Sequence, residues 1–235
     1  MSKIGKISSF QSLGTVDGPG IRSVVFMQGC PLRCICCHNP ETLDFDGGEA
    51  ISVNELFKKI IRFKVYYGKT GGVTFSGGEP LMQPDFLIEI CKKLKAAGIH
   101  IALDTSGCIL NDKIKKLLSL IDLVLLDVKY YDNESYKKNA GMSLDKAIEF
   151  LSYLNEQNID TYIRRVIIPG FTDNEKSIEH INSLKEKYPC IKKVELLPFH
   201  NLCIEKYENM GLEFKLKDTP TPTSEKMEYL NSLLK

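Results

Sequence analysis

Buried strands and amphipathic helices alternate along this 235-residue chain. Nearly continuous apolar runs, typical of strands buried on both faces, are followed by segments whose apolar residues recur at helical i, i+3, i+4, i+7 spacing. About six such β–α units in series require a parallel sheet with right-handed crossovers. We therefore predict an α/β fold forming a single domain over residues 1–235, while periodicity alone leaves open whether the sheet is doubly wound or a barrel. The predicted strands cover residues 22–28, 73–75, 99–103, 123–126, 161–168 and 194–197.

Helix ends are also visible in the sequence. Ser52 is a suitable N-cap for the first helix, and Glu55 three residues later completes a capping box. Gly98 follows the second helix, where a C-terminal cap belongs. The predicted helices are centred on residues 53–60, 87–94, 114–121, 148–154, 178–184 and 227–234.

Charge and hydropathy exclude several function classes. The formal net charge is +1, so no strong field attracts nucleic acid or a membrane surface. No window approaches the roughly 18 consecutive apolar residues of a membrane-spanning helix. The N-terminus also lacks the apolar stretch of a signal peptide. We therefore predict a soluble, cytoplasmic protein.

Four of the eight cysteines crowd into eight residues, as Cys30, Cys34, Cys36 and Cys37. Three of them follow the spacing C-x3-C-x2-C. Three thiolates can hold three irons of a cubane cluster and leave the fourth iron open, whereas a pure electron carrier usually fills all four positions with cysteine. The other four are predicted to be buried thiols, namely Cys91, Cys108, Cys190 and Cys203.

A structural zinc site is the alternative for this loop, with His38 joining Cys30, Cys34 and Cys37. Cys37 and His38 are adjacent in sequence and make poor partners on one tetrahedral ion. The usual two-pair zinc spacing is also missing. The spacing therefore favours an iron–sulfur cluster over zinc.

Polar residues recur at the carboxyl ends of the predicted strands, where α/β folds place their active sites. Each has a structural alternative: a Gly-Gly turn, a helix N-cap by Asp104 or Ser106, or a structural histidine. Their common placement favours a site. The segments, in strand order, are the cysteine loop, Ser76-Gly77-Gly78-Glu79-Pro80, Asp104-Thr105-Ser106, Asp127-Val128-Lys129 and Pro198-Phe199-His200.

Strand 161–168 carries two consecutive arginines. Alternation puts Arg164 on one face with Tyr162, Val166 and Ile168. Arg165 falls on the opposite face among apolar residues, and the sequence offers no role for it.

These motifs resemble those of the radical S-adenosylmethionine superfamily, on the evidence of Cys30-x3-Cys34-x2-Cys37 and Gly77-Gly78-Glu79-Pro80. The resemblance narrows to the glycyl-radical-enzyme activases, and most closely to those of pyruvate formate-lyase. It implies a partial (β/α)6 TIM-like barrel. It extends over nearly the whole chain, through residues 15–22, 28–30, 37–40, 103–105, 126–129, 163–164 and 196–200.

The resemblance also implies a reaction. A 4Fe–4S cluster on the three cysteines would bind S-adenosylmethionine at its open iron and cleave it reductively to a 5′-deoxyadenosyl radical. That radical would take a hydrogen atom from a glycine of a partner enzyme. The partner implied is pyruvate formate-lyase, the implied reductant is a flavodoxin or ferredoxin, and the activase is expected to be a monomer.

Roles for individual residues follow from the same resemblance. Gly77, Gly78 and Glu79 would hold the methionine amino group, and Lys129 and Arg164 would face its carboxylate. Ser106 and Val128 belong to the same strand-end segments and are included among the cofactor-binding residues. The remaining implied contacts are His200 to the ribose, Cys36, Cys37 and His38 to the adenine side, Asp104, Thr105 and Asp127 to a monovalent cation, and Asp17, His38 and Asn39 to the partner's glycine loop.

One residue departs from the family pattern. The position before the last cluster cysteine is usually aromatic, and here it is Cys36. The alternatives within the superfamily are an activase of anaerobic ribonucleotide reductase and an enzyme acting on a small molecule. Outside it, an electron-transfer iron–sulfur protein or a zinc-stabilised scaffold would use the same cysteines.

Overall fold

The computed structural model describes residues 3–235 and follows the predicted alternation of strands and helices. The strands are β1 (Ile4–Gly14), β2 (Arg22–Met27), β3 (Glu49–Ser52), β4 (Gly72–Gly77), β5 (His100–Thr105), β6 (Leu123–Asp127), β7 (Thr161–Ile167) and β8 (Ile191–Pro198). The α-helices are α1 (Val53–Ile61), α2 (Pro84–Ala96), α3 (Asp112–Leu118), α4 (Asn133–Ala140), α5 (Leu144–Glu156), α6 (Glu175–Lys187), α7 (Ile204–Asn209) and α8 (Ser224–Ser232).

The chain divides into two compact units. The first contains the residues up to Pro31 together with Glu41–Leu125, and the second contains Leu32–Pro40 and Leu126–Lys235. The prediction of a single domain is not tested by this division and stays a prediction.

In the first unit the strand order is β3-β1-β2-β4-β5, followed by the first three residues of β6. Strands β2, β4 and β5 are parallel, with Met27 opposite Gly77 and Phe75 opposite Leu103. Their carboxyl ends therefore share one edge of the sheet, as predicted. The apolar run at 73–75 marks only the centre of β4, because the strand ends in glycines.

Strands β1 and β3 were not predicted, and both pair antiparallel. Buried and partly exposed residues alternate along β1, so it lacks the continuous apolar run of a strand buried on both faces. Its Ile4 and Leu13 are exposed, which weakens the apolar pattern further.

The second unit contains the last two residues of β6, then β7 and β8. Strands β7 and β8 are parallel, with Arg164 opposite Glu195 and Ile167 opposite Pro198. Helices α6 and α8 cover this pair through a buried cluster of Ile167, Ile178, Ile181, Leu196 and Leu230.

All six predicted helices are present, and their caps explain where they end. Ser52 and Glu55 form the predicted capping box, and Gly98 adopts a positive φ of 68° just after α2. Helix α3 ends at Leu118, three residues earlier than the apolar periodicity extends. Within residues 3–235, no helix has the length and apolar character needed to cross a membrane.

Candidate active site

The cysteine loop of the second unit, Leu32–Pro40, is fastened to the end of helix α4. The amide of Arg33 donates to the carbonyl of Ala140 at 3.1 Å, and the amide of Ile35 donates to that of Asn139 at 2.9 Å. The last carbonyls of a helix have no partner within the helix, so the loop amides satisfy them. Gly141 then ends α4 in the left-handed region, with φ of 77°.

None of the eight cysteines, all of which lie in the described part of the chain, forms a disulfide. Cys30 belongs to the first unit, where its amide donates to the Leu43 carbonyl at 3.4 Å. In the second unit, the amide of Cys37 donates to the Cys34 carbonyl at 3.2 Å, which closes a tight turn between them. The prediction that the isolated cysteines are buried is confirmed for Cys91, Cys108, Cys190 and Cys203.

Burial raises the pKa of the Cys34 thiol, although the Lys129 ammonium partly opposes the shift. Burial also raises the pKa of Cys36, to about 12. A thiol must lose its proton to bind a metal, and burial raises the pKa of both thiols, so the pKa shifts do not distinguish Cys36 from Cys34 as a ligand. Cys36 packs against the apolar cluster that contains Ile168 and Phe199.

Within residues 3–235, no group of three or more histidine, cysteine, aspartate or glutamate side chains is arranged to hold one metal ion. The zinc alternative therefore finds no support in the described residues. A cubane cluster binds each thiolate at a different iron, so its ligands need not form such a group.

A small cavity in the second unit is lined by residues from the cysteine loop and from the ends of β6 and β7. Two of its lining residues, Lys129 and Arg164, are cationic, and Asp127 is anionic. Val166 of β7 lines the cavity together with Arg164, as alternation predicted, and Ile168 directly follows the strand. Sequence reasoning missed Tyr130, although it directly follows Lys129. The full lining is Cys36, Asp127, Lys129, Tyr130, Arg164, Val166 and Ile168.

Lys129 is held by an ion pair and by a tyrosine. Its Nζ lies 2.8 Å from Asp127 Oδ2. The Tyr136 hydroxyl accepts from the Lys129 amide at 2.9 Å and donates to the Asp127 carbonyl at 3.2 Å. Burial alone would lower the pKa of Lys129, but Asp127 and the neighbouring thiols outweigh it and raise that pKa well above its usual value. Lys129 therefore stays a fixed cation.

The two arginines of β7 make different contacts, Arg164 with a carboxylate and Arg165 with backbone carbonyls. The Arg164 Nε donates to Glu195 Oε2 at 2.9 Å, and its side chain is 6% exposed. Arg165 is buried on the opposite face, where it donates to the carbonyls of Val128 at 2.8 Å and Tyr130 at 3.1 Å. These two carbonyls flank Lys129, so Arg165 pins the backbone that carries it. This explains the arginine to which the sequence assigned no role.

His38 and His200 lie together at the end of β8. Their ring centroids are 4.1 Å apart, and His38 Nε2 donates to the His200 carbonyl at 2.8 Å. Burial and the neighbouring His200 lower the pKa of His38, which favours the neutral ring. The Nδ1 atom of His200 is buried and has no hydrogen-bond partner among the described residues. Such an atom is costly unless a ligand or water satisfies it.

Residues predicted to face a partner are distributed over both units. In the second unit, the Lys206 ammonium donates to Asn39 Oδ1 and to the His38 carbonyl, each at 3.1 Å. In the first, the Asp17 carbonyl accepts from Thr74 Oγ1 at 2.6 Å. Thr74 lies three residues before Gly77 on β4, so Asp17 does not lie beside the carboxyl end of that strand.

In the first unit, the Gly77–Glu79 turn is packed tightly against its own chain. Gly77 has a φ of 104°, and a Cβ on Gly78 would lie 2.5 Å from the Gly29 carbonyl oxygen. The Glu79 amide donates to that same carbonyl at 2.9 Å. Both glycines are therefore required by the local backbone geometry.

The Glu79 carboxylate is buried and completely hydrogen-bonded. Its Oε1 accepts from Thr105 Oγ1 at 2.6 Å and from the Leu81 amide at 3.1 Å. Its Oε2 accepts from the Ser106 hydroxyl at 2.6 Å and the Ser106 amide at 3.0 Å. A carboxylate offers about four acceptor positions, so Glu79 is fully used as a support of this turn.

Asp104 also makes a contact at this edge, accepting from Ser76 Oγ at 2.8 Å. The alternative in which Asp104 or Ser106 caps the next helix is wrong. Helix α3 begins later and is capped by Asn111, whose side chain accepts from the Ile114 amide.

Comparison with known proteins identifies the family of this chain. The family model of the Radical SAM superfamily matches residues 24–181. Pyruvate formate-lyase-activating enzyme of Clostridium pasteurianum is 45% identical over 233 residues, which cover 99% of this chain and 98% of that protein. Pyruvate formate-lyase 1-activating enzyme of Escherichia coli K12 is 39% identical over 237 residues, with 100% and 96% covered.

A solved structure gives the same assignment. The chain resembles a domain of pyruvate-formate lyase-activating enzyme from Bacteroides vulgatus with a TM-score of 0.59 and 27% identity, covering 70% of this chain and 92% of that one. The predicted α/β fold of the radical SAM type is thereby confirmed. The chain belongs to the radical SAM superfamily and, within it, to the family of the pyruvate formate-lyase-activating enzymes.

Proposed function

We propose that this enzyme activates a glycyl radical enzyme, pyruvate formate-lyase, by abstracting a hydrogen atom from a glycine of that partner. The observation that carries the proposal is the cavity in the second unit. There Cys36, within the cysteine loop, meets two fixed cations, Lys129 and Arg164. The two cations suit a carboxylate and the apolar side chains suit an uncharged group. Because the cavity measures only about 20 Å³, these residues would line one end of a ligand site and would not enclose the ligand.

The cysteine loop fits a 4Fe–4S cluster. Cys30, Cys34 and Cys37 form no disulfide, and hydrogen bonds to the end of α4 fix the backbone at Arg33 and Ile35. The family implies this cluster and S-adenosylmethionine as cofactors. A bound cluster would supply the electron for reductive cleavage of S-adenosylmethionine to methionine and a 5′-deoxyadenosyl radical.

The chain's own residues would orient S-adenosylmethionine. Lys129 and Arg164 would hold its carboxylate, because both cations are fixed by ion pairs. The buried Nδ1 of His200 would find its missing partner in the ribose. Cys36, Cys37 and His38 would approach the adenine side. The apolar packing of Cys36 excludes water from this part of the loop.

The first unit would bind the methionine amino group through the Gly77–Glu79 turn. Because all acceptor positions of Glu79 are used, we assign the contact to the backbone of Gly77 and Gly78, with Glu79 as their support. Ser106 supports the same turn, and Val128 precedes Lys129.

A monovalent cation near Asp104, Thr105 and Asp127 stays part of the proposal, and its oxygen ligands suit a hard ion.

The partner and the setting complete the proposal. Asp17, His38 and Asn39 would lie near the glycine loop of pyruvate formate-lyase. A flavodoxin or ferredoxin would deliver the electron. The eight cysteines form no disulfide, which fits a reducing compartment, so we place the enzyme in the cytoplasm. We also propose that it is a monomer.

The test is to mix the anaerobically reconstituted and reduced enzyme with S-adenosylmethionine and a candidate pyruvate formate-lyase. Electron paramagnetic resonance should then show a glycyl doublet. Anaerobic ribonucleotide reductase in place of pyruvate formate-lyase should give none. A doublet with the reductase alone would reassign the partner. Formation of 5′-deoxyadenosine without any doublet would redirect the proposal to a small-molecule substrate.

A further inference from the structure

The side chain of Tyr130 is the least explained part of the cavity. It is 2% exposed, yet its hydroxyl has no hydrogen-bond partner among the described residues. A buried tyrosine hydroxyl usually finds a partner, because leaving it unsatisfied costs free energy. Tyr130 lines the same cavity as Lys129, Arg164 and Cys36. The missing partner is therefore expected inside that cavity.

The hydroxyl cannot easily turn elsewhere. The Tyr130 carbonyl accepts from Arg165 Nη2 at 3.1 Å, which pins the backbone on one side. The ring packs edge-on against Tyr136, with centroids 5.9 Å apart and an interplanar angle of 79°. Tyr136 is itself held by the backbone around Lys129. The structure thus keeps an unsatisfied hydroxyl in a fixed place.

The chemistry of the cavity indicates which part of a ligand Tyr130 would meet. The two cations match the carboxylate of S-adenosylmethionine, as proposed above. The remaining lining residues are one thiol, the Asp127 carboxylate that pairs with Lys129, two aliphatic side chains and Tyr130, whose ring is the only aromatic one in the lining. The thiol, the aliphatic side chains and the Tyr130 ring suit an uncharged aromatic body. A phenol can both donate and accept, and the edge of adenine offers both an amino donor and ring-nitrogen acceptors.

We propose that Tyr130 binds the adenine of S-adenosylmethionine, with its hydroxyl hydrogen-bonded to the adenine edge and its ring forming part of the adenine wall. This inference rests on the proposed function. The family usually has an aromatic residue at the position that Cys36 occupies in this chain. Under this proposal, Tyr130 supplies the aromatic contact to adenine that Cys36 does not.

Tyr130→Phe tests the inference because it removes the hydroxyl and keeps the ring. Equilibrium dialysis of the anaerobically reconstituted enzyme should show a Kd for S-adenosylmethionine about 5- to 10-fold higher than wild type, the value of one lost hydrogen bond. The Kd for 5′-deoxyadenosine should rise similarly, and that for methionine should not change. The Tm of the ligand-free variant should equal or exceed that of wild type, since no internal hydrogen bond is lost.

Tyr67→Phe is the matched control. Tyr67 is also buried, but its hydroxyl lies 2.7 Å from Ser23 Oγ and 3.0 Å from the Ile60 carbonyl oxygen. This variant should have a lower Tm and an unchanged Kd.

Two results would overturn the role of Tyr130: wild-type affinity in Tyr130→Phe, or a Tm loss as large as that of Tyr67→Phe. A raised Kd for methionine but not for 5′-deoxyadenosine would overturn the adenine assignment. If wild-type enzyme itself failed to bind S-adenosylmethionine, the proposed function would fail instead.

Discussion

Two sites, one in each unit, hold buried polar groups in opposite conditions. In the first unit, the buried Glu79 carboxylate receives four hydrogen bonds from Leu81, Thr105 and Ser106. In the second, the Tyr130 hydroxyl and His200 Nδ1 are buried without a partner among the described residues. A complete network has no capacity for a ligand and acts by fixing the backbone. An incomplete network beside fixed cations indicates where a ligand binds.

This difference has an energetic basis. Removing one member of a complete buried network leaves its partners unsatisfied, which costs more than the net value of the bonds. Removing a group that has no partner costs nothing in the ligand-free protein. The Glu79 network and the Tyr130 hydroxyl are therefore expected to respond differently to equally small substitutions, with stability changing at Glu79 and ligand affinity at Tyr130.

The largest effect is expected for Glu79→Gln in the first unit. The new amide nitrogen cannot accept hydrogen bonds, so two of the four donors lose their partner. The free energy of unfolding, measured by denaturant titration, should fall by about 3–5 kcal/mol, as when one partner leaves a buried charged network.

Glu89→Gln is the control, because Glu89 pairs with Lys92 on an exposed surface. Its free energy of unfolding should change by less than about 1 kcal/mol. Equal losses in both variants would show that the Glu79 network does not support the turn.

The second prediction concerns Lys129→Met. Loss of a fixed cation should raise the Kd for S-adenosylmethionine about 10- to 100-fold, since hydrogen bonds to charged groups are the strong ones. Lys113→Met is a matched control from the surface, where Lys113 pairs with Asp85. An unchanged Kd in Lys129→Met would remove the cavity from the binding site.

Tyr136→Phe is a useful comparison for Tyr130→Phe, because the two rings pack against each other but only the Tyr136 hydroxyl has hydrogen-bond partners among the described residues. The Tyr136 hydroxyl bridges the Lys129 amide and the Asp127 carbonyl. Its removal should lower the free energy of unfolding by about 1 kcal/mol, the net value of a buried hydrogen bond. Denaturant titration of both variants checks this. If both lost the same stability, Tyr130 would have an internal partner after all.

The smallest effect is a pH dependence in the second unit. His180 Nδ1 accepts from Arg165 Nη2 at 3.3 Å, and burial together with Arg165 lowers the pKa of His180 to about 4. At pH values below the ordinary histidine pKa near 6.5, His180 binds a proton in the unfolded chain but stays neutral in the folded chain until the pH approaches 4. The free energy of unfolding should therefore fall as pH decreases from 6.5 towards 4.

His180→Gln keeps an acceptor for Arg165 but cannot be protonated. Its free energy of unfolding, measured from pH 7 to 5, should fall less than that of wild type. A constant difference between the two proteins over this range would contradict the assignment.

The position of the site in the fold was predictable from the sequence, whereas the hydrogen bonds within the site were not. Apolar runs located β2 and β4 to β8, and these strands carry the predicted residues at their carboxyl ends. Alternation along β7 separated Arg164 from Arg165. The partners of Arg165 come from the segment directly after β6 and from α6, and no local pattern encodes such contacts between distant segments.

Tertiary structure also gives some polar residues contacts that the sequence did not predict. Thr105 and Ser106 were predicted at the cation and the cofactor, yet both hydroxyls donate to Glu79. Tyr130 adjoins Lys129 in sequence, but nothing in the sequence reveals that its hydroxyl is buried without a partner. Register and burial decide these points, and both depend on the packed sheet.

The central claim is that Cys30, Cys34 and Cys37 hold the cluster and that Cys36 does not. The most direct measurement is electron paramagnetic resonance of the reduced, anaerobically reconstituted cluster with and without S-adenosylmethionine, in Cys34→Ala and Cys36→Ala. Cys36→Ala should keep the cluster signal and its change on adding S-adenosylmethionine, and Cys34→Ala should lose both. A signal that responds in Cys34→Ala but is absent in Cys36→Ala would contradict the account.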